Sequence, residues 1–352
     1  MKYLIVAPSW VGDMVMAQTL FITIKRQHSG AVIDVIAPSW SSPILKRMPE
    51  IRHCIEMPLG HGQLGLCVRR KIGKSLQAEH YNQAIILTNS FKSALIPFWA
   101  DIPVRIGWRG EMRYGLLNDI RILNKEQLPL MVERFIALGL TANAPIPSEL
   151  PKPNLHVEPD AAKSSLHRHR LQTNKPVLGI CPGSEFGPSK QWPASYYSEA
   201  ALHMIKNGWQ VWLFGSEKDR PITTAIIDYI PNQHQSSFCN LAGETSLADA
   251  VDLLSLTSAV ITNDSGLMHI AAALSRPLVA IYGSTSTTHT PPINTNSETI
   301  WLGLECSPCF KRTCPLGHHN CMQQLTPSNV ISSLEQLLKK EATIATSKIY
   351  KT

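Results

Sequence analysis

The residues best suited to chemistry lie in turns that follow short apolar runs. In 259-AVITNDSGLMHIAAAL-274 a Val/Ile run ends in Asn263-Asp264-Ser265-Gly266, and a helical pattern begins at once. Free backbone N–H groups at a helix start, together with its dipole, suit a phosphate; Gly266 permits close approach and His269 follows one turn on. The plainer reading is an N-cap in which Asp264 or Ser265 merely satisfies helix amides. The same three residues, Asn263-Asp264-Ser265, spell a glycosylation sequon, a use that needs a secretory signal, and none is recognisable here.

Two further turns have the same position. In 181-CPGSEFGPSKQWP-193 an apolar run gives way to glycines, prolines, Ser184 and Ser189, with Lys190 as a candidate phosphate clamp. The alternative is a surface loop with Trp192 packed beneath it. In 214-FGSEKDRP-221, Glu217 and Asp219 stand just past another run, where a carboxylate can accept from ribose hydroxyls. Near the start, 3-YLIVAP-8 leads through Trp10-Val11-Gly12 to Asp13, which either caps the next helix or supplies a carboxylate to a cleft.

The stretch 306-CSPCFKRTCPLGHHNC-321 gathers Cys306, Cys309, Cys314 and Cys321 with His318 and His319, enough ligands for a tetrahedral structural zinc. The usual pair of C-x2-C repeats is absent, so reduced or disulfide-linked packing thiols are the competing reading, and no catalytic metal is expected. Cys54, Cys67, Cys181 and Cys239 read as scattered core thiols.

These turns need strands to carry them. The runs 3-YLIVAP-8, 32-VIDVIAP-38 and 84-AIILTNS-90 alternate with helical patterns, and the same grammar restarts at 177-VLGICPG-183, 209-WQVWLFG-215, 259-AVITND-264 and 278-LVAIYG-283. Such alternation predicts parallel sheets with crossover helices, and hence an α/β protein of two doubly wound, Rossmann-like halves. Between them, 145-PIPSELPKPNLHVEP-159 is a proline-rich connector. In open parallel sheets ligands gather beyond the carboxyl ends of the strands, where all the turns above fall.

The expected domains are 1–160, 161–325, a terminal helix over 326–341 and a flexible tail over 342–352. That helix opens with Thr326 as N-cap and Pro327 at its first position, and carries Val330, Ile331, Leu334, Leu337 and Leu338 as one apolar stripe.

With 352 residues, 44% of them hydrophobic, the chain has mass for two cores and is no disordered polymer. Its 33 Lys+Arg against 26 Asp+Glu leave +7, which favours phosphates, acidic glycolipids or nucleic acid. No apolar run is long enough to span a bilayer, and Pro8 and Asp13 interrupt the opening segment, so a cytoplasmic protein is expected. Neither Gly-x-Gly-x-x-Gly nor a P-loop is present: Gly73-Lys74-Ser75 has Val68 where the loop needs its first glycine. Arg69, Arg70, Lys71 and Lys74 there read as a solvated basic face.

Trp10-Val11-Gly12-Asp13, the run Pro182-Gly183-Ser184-Glu185-Phe186-Gly187-Pro188 through Lys190 and Trp192-Pro193, and Asn263-Asp264-Ser265-Gly266-Leu267-Met268-His269 together resemble the bacterial ADP-heptose:lipopolysaccharide heptosyltransferases, glycosyltransferase family 9. The resemblance covers nearly the whole chain, with the motifs in order.

It implies a GT-B fold of two Rossmann-like domains facing a cleft, with acceptor on the amino half, donor on the carboxyl half and the last helix crossing back to the first domain. The implied reaction is metal-independent and inverting. It moves a heptose from ADP-L-glycero-β-D-manno-heptose to the first heptose of an anionic inner-core lipopolysaccharide, with no cofactor and no nucleic acid.

Carried over by residue, Asp13 is the base and Lys190 the diphosphate contact. Ser184, Glu217, Asp264, Ser265, Gly266 and His269 bind the donor. Lys92, Arg105, Arg109 and Arg113 are expected to guide the acceptor, although Arg109 and Arg113 can equally pair with Glu111. The lipid acceptor implies peripheral contact with the inner face of the bacterial inner membrane. Another core acceptor, or a non-catalytic nucleotide-sugar or glycolipid binding protein on the same fold, are the alternatives.

Overall fold

A computed structural model describes residues 1–60 and 62–349. The chain forms two compact units, Met1–His156 and Val157–Thr352, so the boundary falls just before the expected residue 160.

The first unit contains β1 (Lys2–Val6), α1 (Val11–Gln27), β2 (Val32–Pro38), α2 (Ser42–Leu45), β3 (Ile51–Met57), α3 (Leu66–Ser75), β4 (Gln83–Ile86), α4 (Leu95–Trp99), β5 (Val104–Trp108), β6 (Asp119–Arg121) and α5 (Met131–Gly139). Its strands pair in parallel in the order β3-β2-β1-β4-β5-β6. Leu4, Ile5, Ile85 and Ile86 are wholly buried, as strands covered by helices on both faces must be. Asp34 on β2 is the polar exception. It is held by the Arg52 guanidinium, the Tyr81 hydroxyl at 2.5 Å and the His53 amide at 3.1 Å, which satisfies a buried carboxylate.

The second unit contains α6 (Pro159–Arg168), β7 (Val177–Cys181), α7 (Ala194–Lys206), β8 (Gln210–Leu213), α8 (Arg220–Asp228), α9 (Asn232–Gln235), β9 (Phe238–Asn240), α10 (Leu247–Leu254), β10 (Ala259–Asn263), α11 (Gly266–Ala273), β11 (Leu278–Ile281), β12 (Ser297–Ile300), α12 (Asn320–Gln323) and α13 (Pro327–Ile349). The order is β12-β11-β10-β7-β8-β9, again all parallel. Read from β9, this repeats the first unit's winding. Each sheet therefore has one point at which the winding reverses, between β1 and β4 in the first and between β7 and β10 in the second. At such a point the two neighbouring crossovers lie on opposite faces and leave a crevice beyond the strand ends.

Three expectations need correction. The stripe of α13 finds its partner within the second unit: Val330, Leu334 and Leu337 join the core formed by Leu178, Ile281, Trp192 and their neighbours. Periodicity announces a buried face without saying what covers it. Helix α13 also runs to Ile349 rather than ending at Glu341, since Ala342 and Ala345 are strong helix formers and neither glycine nor proline intervenes. Residues 350–352 of the expected tail lie outside the described residues. Finally, Arg69 is buried rather than solvated, its Nε donating to the Leu64 carbonyl at 2.7 Å.

Candidate active site

In the second unit the loops after β7 and β10 meet at the reversal point. Lys190, at the end of the turn Pro188–Lys190, donates from Nζ to Asp264 Oδ2 at 2.6 Å. The Asn263 side chain donates from Nδ2 to the Lys190 carbonyl at 3.1 Å, so the β10 end also holds the main chain of the other loop. Thr285 Oγ1 donates to the same Asp264 oxygen at 2.7 Å. Beneath the loop, fully buried Trp192 donates to the Leu325 carbonyl at 2.7 Å and meets Tyr197 edge-on, centroids 4.9 Å apart. The loop thus has a packed tryptophan beneath it and a lysine held among polar groups.

Ser265 is the N-cap of α11, its Oγ accepting from the Met268 amide at 3.4 Å. Capping uses one donor of the first turn. The amides of Gly266 and Leu267 are the ones a helix start leaves without an intrahelical partner, and Lys190 Nζ reaches the Asp264 carbonyl at 3.3 Å just ahead of that start, an arrangement suited to an anion. Asp264, as a carboxylate, accepts only, so its side chain orients Lys190 and Thr285 rather than contacting phosphate. Buried His269 has its pKa pushed down to about 4 by desolvation; Asp264 opposes that shift and Lys190 adds to it. At neutral pH it is an uncharged ring behind the turn.

Ser184 Oγ accepts from the Gly187 amide at 3.4 Å and so shapes the loop. Glu217, beyond β8, is exposed, 3.7 Å from Arg220, and its carboxylate lies against Gly243, where an added Cβ would displace it. Asp219 by contrast is taken up locally, accepting from the Ser216 amide at 2.8 Å.

In the first unit the segments that follow β1 and β4 carry Asp13 and Lys92. Asp13 is half-buried in the first turn of α1, whose N-cap residue, Trp10, offers no side-chain cap. Lys92 donates to the Gln63 carbonyl at 3.2 Å. Of the expected guiding arginines, two are turned into the fold. Arg113 is buried and donates to the carbonyls of Thr88, at 2.7 Å, and Trp108, while Arg105 donates to that of Ile102 at 2.6 Å and lies over Phe98. Burial lowers the pKa of both. Arg109 is exposed. Glu111 accepts from the Phe91 amide at 2.7 Å.

Sequence reasoning missed Thr285 and Ser284. The signal was present: both follow the apolar run of β11, as Asp264 follows that of β10. It also missed the aromatic partner of the clamp, for Lys190 Nζ lies 5.0 Å and the Arg312 guanidinium 5.8 Å from the Phe186 ring centroid. The eight cysteines are free thiols, and Cys67, expected in a core, is exposed because α3 presents it to solvent. Among the described residues no three His, Cys, Asp or Glu side chains gather in a way that could hold a metal ion.

Two doubly wound parallel sheets, the second with a lysine and a helix start at its reversal point, are the architecture of the GT-B glycosyltransferases, and the solved structures this chain matches share it. The profile of glycosyltransferase family 9 (heptosyltransferase) matches residues 69–320, and the chain belongs to that family. It is 47% identical over 346 residues to lipopolysaccharide heptosyltransferase 2 of Escherichia coli, covering 97% of this chain and 99% of that one. It is 46% identical over 348 residues to lipooligosaccharide heptosyltransferase 2 of Haemophilus influenzae, covering 97% and 100%. The solved structure of E. coli ADP-heptose lps heptosyltransferase II superposes with a TM-score of 0.86 at 45% identity, covering 97% of this chain and all of that one.

Proposed function

We propose that this heptosyltransferase moves L-glycero-D-manno-heptose from ADP-L-glycero-β-D-manno-heptose, with inversion at C1, onto the first heptose of the lipopolysaccharide inner core. The observation that carries the reading is the convergence of Lys190 and the α11 start at the second reversal point. The names of the relatives above support the choice of donor and acceptor.

As the bond from C1 to the diphosphate oxygen breaks, negative charge grows on ADP. Lys190 Nζ and the free amides of α11 are fixed donors for that charge, and they act without reorganisation. Glu217 accepts from the ribose hydroxyls, and Ser184, Ser265 and Gly266 form the wall along which the diphosphate lies. The acceptor hydroxyl attacks C1 and gives its proton to the Asp13 carboxylate, since an ordinary carboxylic acid is ionised at neutral pH. Lys92 and Arg109 attract the acceptor's phosphates and carboxylates, while Arg105 and Arg113 hold the strand ends that present them.

The acceptor's lipid brings the enzyme to a membrane surface, on the cytoplasmic side, by peripheral contact. No helix among the described residues is long and apolar enough to cross a membrane.

The test is mass analysis of the product formed from ADP-heptose and a core glycolipid truncated after its first heptose, in EDTA. Addition of one heptose is expected. Product formed only on a glycolipid lacking that heptose would reassign the acceptor. Activity restored by Mg²⁺ or Mn²⁺ alone would overturn the charge stabilisation by Lys190 and the amides. No binding of ADP-heptose would remove the donor site.

A further inference from the structure

Cys306, Cys309, Cys314 and Cys321 line one pocket, and Ser189 and Ser284 share its wall. The segment bearing these thiols also holds the donor loop. The Ser189 amide donates to the Arg312 carbonyl at 3.1 Å, and Ser189 Oγ donates to the Lys311 carbonyl and lies 3.0 Å from Ser284 Oγ. His319 Nε2 stands 2.9 Å from the Ser189 carbonyl, which can only accept, so that nitrogen carries the proton. The same His319 donates its backbone N–H to Cys314 Sγ at 3.4 Å. A two-bond relay therefore runs from the Cys314 sulfur, through His319, to the residue preceding Lys190.

We propose that this pocket is a thiol modification site. Cys314 exchanges with a low-molecular-weight disulfide there, and the resulting adduct weakens donor binding by displacing His319 from Ser189. The second part rests on the reading of Lys190 as the diphosphate clamp.

In the exchange, the Cys314 thiolate attacks one sulfur of R–S–S–R. A Cys314–S–S–R bond forms as the original disulfide bond breaks, and the other half leaves as a thiolate that takes up a proton. Cys314 is oxidised as that half is reduced, so nothing else is consumed. Cys314 is suited to the step by its place: it lines the pocket, and its sulfur accepts the His319 backbone N–H at 3.4 Å. Burial instead raises the thiols of Cys54, Cys181, Cys239 and Cys321, which disfavours attack from them. An adduct on Cys314 adds bulk at the atom that accepts from His319, and the wall it pushes against is Ser189.

The experiment treats the full-length reduced protein with glutathione disulfide, following intact mass and peptide maps over time and measuring ADP affinity before and after. The first adduct is expected on Cys314, ahead of the more exposed Cys67. It should raise the ADP Kd roughly fivefold or more, the lower range of coupling between sites, and dithiothreitol should restore the original affinity. Cys314→Ser should lose the early adduct, keep near-normal ADP affinity and become insensitive to glutathione disulfide. Because the labelling order is read on the wild type, a variant that fails to fold leaves the test intact.

Adduct formation on Cys67 first, or thiols that react only after a chelator strips a bound ion, overturns the modification site. A Cys314 adduct with unchanged ADP affinity overturns the relay. If the reduced protein does not bind ADP at all, the donor-site reading fails, while the labelling order still decides the modification site.

Discussion

Lys190 and Asp264 stand 74 residues apart in the chain and meet at 2.6 Å, with side chains only 13% and 7% exposed. The pair ties the β7 loop to the β10 loop and gives the clamp a resting partner. An ammonium has three donors, so Lys190 can keep Asp264 while it donates to a phosphate oxygen. Thr285 holds the carboxylate from another side, so Asp264 stays satisfied as Lys190 turns toward the ligand.

Replacing Lys190 therefore has two separable effects. Lys190→Ala should slow kcat by about 10² to 10³, the usual cost of losing a donor aimed at developing charge. It also strands a buried carboxylate, at a cost of about 3 to 5 kcal/mol. The double variant Lys190→Met with Asp264→Asn should recover most of the melting temperature and none of the turnover. Recovery of both would make Lys190 a structural tie.

His269 makes stability depend on acidity. Its folded pKa of about 4 lies below the unfolded value near 6.5, so acid is taken up preferentially by the unfolded chain. The neutral-ring contribution is complete above about pH 6.5 and is lost as pH falls toward 4, a total of roughly 3 kcal/mol. His269→Gln should flatten that part of the profile. Denaturant midpoints measured on both proteins from pH 7 to pH 4 check this, and parallel curves would refute it.

The strand ends were legible because each sits where a Val/Ile run meets a polar turn. The repeated winding then brings those ends to two reversal points, so Lys190 and Asp264 could be placed near one another before any distance was known. What was not legible depends on contacts distant in sequence. Arg113 sits in a polar loop like Arg109, yet only the fold shows that Thr88 and Trp108 turn their carbonyls toward the first and not the second. The same holds for α13, whose stripe looks alike whichever sheet it covers. Cys67 looked like a core thiol because residue type carries no information about which way a short amphipathic helix is rolled.

Gly243 offers a way to test Glu217 without touching it. Its φ of +76° lies in the left-handed region, and an added Cβ would collide with the Glu217 carboxylate. Gly243→Ala should push that carboxylate out of place and cost about 1 kcal/mol or more in backbone strain. Affinities for adenosine and for ADP should fall by the same factor, because the ribose contact is common to both. Calorimetric titration of the variant with each ligand decides it; a loss confined to ADP would move Glu217 to the diphosphate.

Asp13→Asn is the sharpest test of the reaction itself. The variant preserves size and most hydrogen bonding, so folding should survive. Removing the base should lower kcat by about 10² to 10⁴. Donor affinity should be unchanged, because Asp13 belongs to the first unit and the donor contacts proposed above are all residues of the second. Turnover and ADP-heptose affinity measured on one folded preparation separate the possibilities: near-normal turnover reduces Asp13 to a helix-terminal charge, and lost donor binding assigns it to the wrong substrate.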